Sequence, residues 1–295
     1  MNLFDQATLA KIEQLSIVAT KVRVGMLKGD RRSRKLGSSI DFADYRDYVK
    51  GDDLRRLDWN IFARLGKPFI KLLEEEEDLA IHVLVDVSAS MDWPGDGSEQ
   101  NKFQFSLRTA GALGYIGLGT GDQVSVSLLS AISCEIWGPH RGRHNGFGLF
   151  QFLEECSPGG TTDINGSVRR YSHKALRPGM AFLISDLLSP SGFEIGLHSL
   201  LSRGYEIALI HVLAPDEVEP PIGGDVKLVD TETNEETEIS LNMATVGLYR
   251  TRLEVWRSEI EDFCRRRDIH YMPVETDYPW DKLILHSLRM EGVLK

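Results

Sequence analysis

The stretch that decides the fold is LAIHVLVDVS, Leu79–Ser88. Its aliphatic density is that of a strand buried on both faces, as in a parallel sheet covered by helices. It closes on a carboxylate, Asp86, followed at every second position by the hydroxyls Ser88 and Ser90. A second apolar run, GMAFLISDL, ends the same way on Asp186. Two buried strands that each emerge on an acid place polar chemistry at one edge of a sheet.

Outward from Leu79, helix and strand patterns alternate. A helix is expected over about Asn101–Gly119, then strands QVSVSLLS and SCEIWG around a tight turn, then a helix over about Asn145–Cys156. SPGGTTDINGSV breaks the pattern and leads into a helix ending near Leu176. A short helix over Phe193–Arg203, the strand YEIALIHVLA, a long helix over Met243–Arg267, the strand IHYMPVE and a final helix over Trp280–Arg289 continue the series. DVKLVDTETNEETEIS alternates apolar and polar residues and reads as an exposed hairpin inserted near residues 225–240. The pattern predicts an α/β fold, a doubly wound, mostly parallel sheet. Residues 79–295 would form that domain. Residues 1–78 would carry an N-terminal helix, from about Phe4 to Met26, and a small accessory segment.

Composition narrows the function. The 295-residue chain has a net charge of −10, so it lacks the basic balance of a general nucleic-acid binder. No window approaches the roughly 18–20 apolar residues of a membrane span. The N-terminus is polar, without an apolar signal core, so no stable membrane insertion and a cytoplasmic location are expected. Cys134, Cys156 and Cys264 are widely spaced, as free core thiols would be. Seven basic residues between Lys21 and Lys35 and five acids in Glu74–Asp78 are either solvated runs or a bipolar docking surface. There is no GxxxxGK[ST] loop, no GxSxG elbow and no Cys–His protease pattern. GLGTG lacks the strand-then-helix setting of a dinucleotide site. HRGRH spaces His140 and His144 four apart, but Pro139 and Gly142 oppose a helix and no third ligand is evident.

In an open α/β sheet, ligands bind outside the carboxyl ends of the strands. Three oxygen-rich clusters should arrive there: Asp86-Ser88-Ser90, Thr161-Thr162-Asp163 and Asp186. Such donors suit a hard cation such as Mg2+. Neutral hydroxyls would leave the ion much of its charge and therefore attractive to a partner's carboxylate. The plain alternative is that the serines are turn or cap residues and that Asp186 merely ends a strand.

These residues carry a resemblance. VDVSASM, GGTT with Asp163, and LISD resemble the three loops of the metal-ion-dependent adhesion site of von Willebrand factor A domains. The similarity runs from about Leu79 to Glu275 and implies a Rossmann-like topology. It implies Asp86, Ser88, Ser90, Thr162 and Asp186 as the metal residues, with Thr161 an open alternative to Thr162. Mg2+ would be the ion, with Mn2+ or Ca2+ in its place as alternatives. Upstream, SSIDFADYRDYVKGDDLRRLDWNIFARLGKPFIKLLEEEED, residues 38–78, is similar to the defining block of a bacterial family known as domain of unknown function fifty-eight. That resemblance implies a non-enzymatic adaptor or chaperone-like partner of a MoxR-type AAA+ ATPase, with a client protein also possible. Read from its residues alone, the block is a structural ion-pair lattice or a docking surface, with Phe42, Tyr45 and Trp59 as candidate anchors.

Two other functions fit the same residues less well. A phosphohydrolase would use Asp86 as nucleophile, with Mg2+ on Asp186. Haloacid-dehalogenase-like enzymes resemble that layout but place a second Asp where this chain has Ser88. A structural interaction module with a vestigial metal site is the other.

Overall fold

The structure, a computed structural model, describes residues 4–19, 40–49, 52, 54, 57–75, 79–95, 97–130, 134–161, 163–174, 177–221, 223–231 and 236–295. Thr162, the whole basic segment 21–35 and the acids 76–78 lie outside the described residues. The chain forms two compact units, Met26–Asp78 on the one hand and Met1–Gly25 with Leu79–Lys295 on the other.

In the smaller unit, β1 (Ile40–Asp47) pairs antiparallel with β2 (Phe69–Glu75), with a register shift between Phe42 and Asp44. A short helix, Trp59–Leu65, lies between them in sequence. It starts where Asp58 accepts from the Asn60 and Ile61 amides (2.9 and 3.1 Å) and stops at Gly66, whose φ of +65° suits a residue without Cβ. Asp58 also accepts from the Tyr45 hydroxyl at 3.0 Å. Arg46 grips both oxygens of Asp52 at 2.7 and 2.6 Å, and Asp52 holds the Val49 amide at 2.8 Å. Within the unit Trp59 stands edge-on to Phe62.

The larger unit is a mixed α/β body around a six-stranded sheet. The strands are β3 (Ala80–Asp86), β4 (Gln123–Leu129), β5 (Cys134–His140), β6 (Met180–Ser185), β7 (Glu206–Leu213) and β10 (His270–Glu275). Their order is β10-β7-β6-β3-β4-β5, parallel throughout except for β5, which closes one edge antiparallel to β4. β3, β6 and β7 are buried along their whole length, as their unbroken apolar runs require. Each edge strand contains a proline, Pro139 in β5 and Pro273 in β10.

Alternation of side chains divides the core between the two faces. Leu84, Ala181, Leu183, Ile207 and Leu209 meet Val168, Leu197 and Ile260 from the helices Ile164–Lys174, Glu194–Leu201 and Met243–Arg265. On the other face lies the helix Lys102–Thr120, begun by the Asn101 side chain on the Gln104 amide and ended by Gly121. It packs so closely that a Cβ on Gly117 would stand 2.4 Å from Ile81 Cδ1. The exposed hairpin forms as β8 (Gly224–Val229) and β9 (Glu236–Leu241).

Two helices differ from expectation. Among the described residues the N-terminal one spans Gln6–Ile12, and positions 20–26 of the expected range lie outside them. Beyond it the β-branched Ile17 and Val18 run extended against the C-terminus, with Val18 N donating to Val293 O (2.9 Å) and Lys295 N to Ser16 O (2.9 Å). The final helix is interrupted by a π turn, Leu283–Ser287, between Trp280–Lys282 and Leu288–Met290.

Candidate functional site

The loops after β3 and β6 and the loop before the helix Ile164–Lys174 are tied together by named hydrogen bonds. Asp86, 1 % exposed, accepts from its own loop, Ser88 N at 3.0 Å, and from the end of β6, Ser185 Oγ at 2.7 Å. Ser185 Oγ in turn accepts from Leu187 N at 2.9 Å. Backbone hydrogen bonds join the Gly-rich loop to the first: Ala89 N donates to Gly160 O (2.9 Å) and Gly159 N to Val87 O (2.8 Å). Gly160 turns the chain there with φ +72°. Ser88, buried, and Ser90, half-buried, stand with their hydroxyl oxygens 3.0 Å apart.

Asp186 is held on every side. Its Oδ1 accepts from Leu188 N at 3.0 Å and its Oδ2 from Lys102 Nζ at 2.7 Å. Lys102, the first residue of its helix, is wholly buried and reaches a second carboxylate, Glu217 Oε1, at 2.6 Å. Glu217 is fixed through its other oxygen by the Ala214 amide at 2.8 Å. Behind the loop, His211 Nε2 lies 3.1 Å from the Asp186 carbonyl and Nδ1 2.9 Å from the Tyr271 hydroxyl. Between Asp186 and Leu188, the buried Leu187 takes a left-handed φ of +59°, a conformation a branched side chain adopts only when its surroundings impose it.

Burial, and then the charge of Asp186, pushes the Asp86 carboxyl above the ordinary range. For Lys102, burial alone would lower the ammonium; Asp186 and Glu217 outweigh it and hold the group above its usual value. Burial brings His211 down to about 4, so the ring is neutral near pH 7. The neutral ring donates from Nε2 to the Asp186 carbonyl and accepts at Nδ1 from Tyr271.

Asp86, Ser88, Ser90 and Asp186 thus meet at the carboxyl edge of the sheet. Thr161 is exposed on the adjoining loop. Asp163 is engaged locally: its Oδ1 accepts from Gly166 N (2.9 Å) and Ser191 Oγ (2.7 Å), contacts that hold its carboxyl below the usual range. His140 and His144 form no metal cluster, and among the described residues no group of three or more His, Cys, Asp or Glu is arranged to hold one. A hydroxyl-rich site does not require such a group. Adjacent positions of an octahedral shell with ~2.1 Å bonds lie about 3.0 Å apart, which the Ser88–Ser90 spacing suits. The residues therefore fit a hard cation on the serine side, whereas Asp186 already carries an ammonium. Lys102 and Glu217 were not foreseen from the sequence. The signal available was a lysine opening the mostly buried helix KFQFSLRTAGALGYIGLGT.

The molecule is an α/β protein with a mostly parallel six-stranded sheet and a polar carboxyl edge, and among the described residues no helix is long and apolar enough to cross a membrane. Residues 44–255 match the family model "Protein of unknown function DUF58", and the chain belongs to that family. An uncharacterised protein of Mycobacterium tuberculosis is 25 % identical over 282 residues, covering 95 % of this chain and 88 % of that one. Two solved structures are similar over 72 % of this chain. One is an aerotolerance-related membrane protein from Bacteroides fragilis (15 % identity, 99 % of that chain, TM-score 0.47). The other is the conserved hypothetical protein BatB from Bacteroides thetaiotaomicron (14 % identity, 98 % of that chain, TM-score 0.43).

Proposed function

We propose that the larger unit is a von Willebrand factor A-like, non-catalytic protein-binding module whose docking point is a Mg2+ site at the carboxyl edge of its sheet. The observation that carries this reading is the joining of three oxygen-bearing loops, with two hydroxyls at octahedral-edge spacing beside two buried aspartates. Ser88 and Ser90 would hold the ion directly, with a threonine of the 161–162 pair. Asp86 and Asp186 would supply charge and orientation. Mg2+, or Mn2+ or Ca2+ in its place, would supply a Lewis-acidic position for an acidic residue of a partner.

The partner in this reading is a MoxR-type AAA+ ATPase, or a client presented to it, in the cytoplasm. The ATPase would hydrolyse ATP and this chain would recognise. A phosphohydrolase reading asks Asp86 to attack, yet both of its oxygens accept hydrogen bonds in a buried setting. Ser88 also stands where that chemistry wants an acid.

The test is capture of the purified ATPase by the purified chain in Mg2+ and in EDTA. Capture should be lost in EDTA and in Ser88→Ala, with the circular dichroism spectrum unchanged. Equal capture under all three conditions defeats the metal-docking reading and favours a vestigial site.

A further inference from the structure

The buried lysine is the feature that the docking reading leaves unused. Lys102 places a full positive charge 2.7 Å from one of the two aspartates that would attract a cation. It is wholly buried, so water does not screen it. Nor does its position suit a cation: it opens a helix, where the exposed amides already present positive potential. Two carboxylates hold it there, and they differ. Asp186 is 1 % exposed at the candidate site, whereas the Glu217 side chain is 20 % exposed and anchored by the Ala214 amide. The ammonium therefore has one partner that belongs to the site and one that does not.

We infer that Lys102 is the resident countercation of Asp186 and competes there with the divalent ion, which gains the full charge of Asp186 only when the ammonium shifts its pairing to Glu217. This rests on the metal reading proposed above and adds its regulation: the site carries its own competitor, and its affinity is set by the Asp186–Lys102–Glu217 relay. Two like-signed cations sharing one carboxylate repel one another, and that repulsion is strong where water is excluded. A shift of the ammonium needs no new partner, because the bond to Glu217 already exists.

The experiment measures Mn2+ affinity from the free-ion electron paramagnetic resonance signal, using the full chain, with folding confirmed by circular dichroism. Lys102→Met keeps the apolar stem and removes the charge; it should tighten Mn2+ by about tenfold or more. Glu217→Gln removes the alternative partner and should weaken binding, a direction opposite to that of Lys102→Met. If the effect acts through Asp186, adding Lys102→Met to Asp186→Asn should change affinity less than about twofold. A gain that persists in the Asp186→Asn background overturns the shared-carboxylate mechanism. Unchanged or weaker binding in folded Lys102→Met overturns the competition while the metal site stands. Should Lys102→Met not fold, tighter or equal binding by Glu217→Gln overturns the relay by itself. Absence of millimolar Mn2+ binding in both wild type and Lys102→Met sinks the inference together with the metal reading.

Discussion

Two Asp–cation pairs in this molecule use the same chemistry to different ends. Arg46–Asp52, in the smaller unit, is bidentate and well formed, yet its side chains are 43 and 20 % exposed. Lys102–Asp186, at the edge of the large sheet, has one 2.7 Å contact and side chains 0 and 1 % exposed. In water a charge that loses its partner is resolvated. In the interior it is not, so the less elaborate pair is the one whose disruption matters. Burial rather than contact geometry ranks the two.

The largest test of that ranking is Lys102→Met without metal. It leaves Asp186 and Glu217 facing each other unpaired and should reduce stability to urea unfolding by on the order of 3–5 kcal/mol. Millimolar Mg2+ should restore part of the loss if a cation can replace the ammonium. Full stability without metal would break the comparison.

A buried imidazole extends the argument to pH. His82 lies between Tyr171 and Tyr205, with Nδ1 2.7 Å from the Tyr171 hydroxyl and Nε2 3.1 Å from the Arg177 carbonyl. Burial lowers it to about 4, against 6.5 for the free side chain. Between those values the unfolded chain binds the proton and the folded chain does not, so stability rises with pH. Its share, on the order of 3 kcal/mol, is intact above about pH 6.5 and is lost as pH falls toward 4. His82→Gln should reduce that slope in urea titrations at several pH values, leaving the part that His211 contributes. An unchanged slope would show that the ring charges without penalty.

The smallest effects lie in the Met26–Asp78 unit and divide by role. Asp58→Ala removes two amide contacts at a helix start and should destabilise by about 1 kcal/mol. Arg46→Ala removes an exposed pair and should leave the melting temperature unchanged within error. A larger loss from Arg46→Ala than from Asp58→Ala would reverse the contrast.

Much of this was legible in the sequence because burial writes itself into composition. The runs LAIHVLVD and GMAFLISD could only be strands covered on both faces, and an acid ending each announced the polar edge. The alternating DVKLVDTETNEETEIS declared an exposed hairpin just as plainly. The N-terminal helix was overread because Ile17 and Val18 satisfy a helical stripe over so short a span. Their actual partner, residues 293–295, lies at the other end of the chain. Lys102 was missed for a different reason. One lysine at a helix start looks like any solvated lysine until the fold brings Asp186 and Glu217, 84 and 115 residues away, to meet it.

The prolines in the two outermost strands have a consequence for how this body meets other chains. A proline in an edge strand offers no N–H to an incoming strand, and Pro139 and Pro273 blunt both margins of the sheet. Recruitment of a further strand, the commonest accidental route from a soluble sheet to a fibre, is thereby discouraged at either side. If the docking reading proposed above holds, a binding site at the ends of the strands would not bring with it a template along their length.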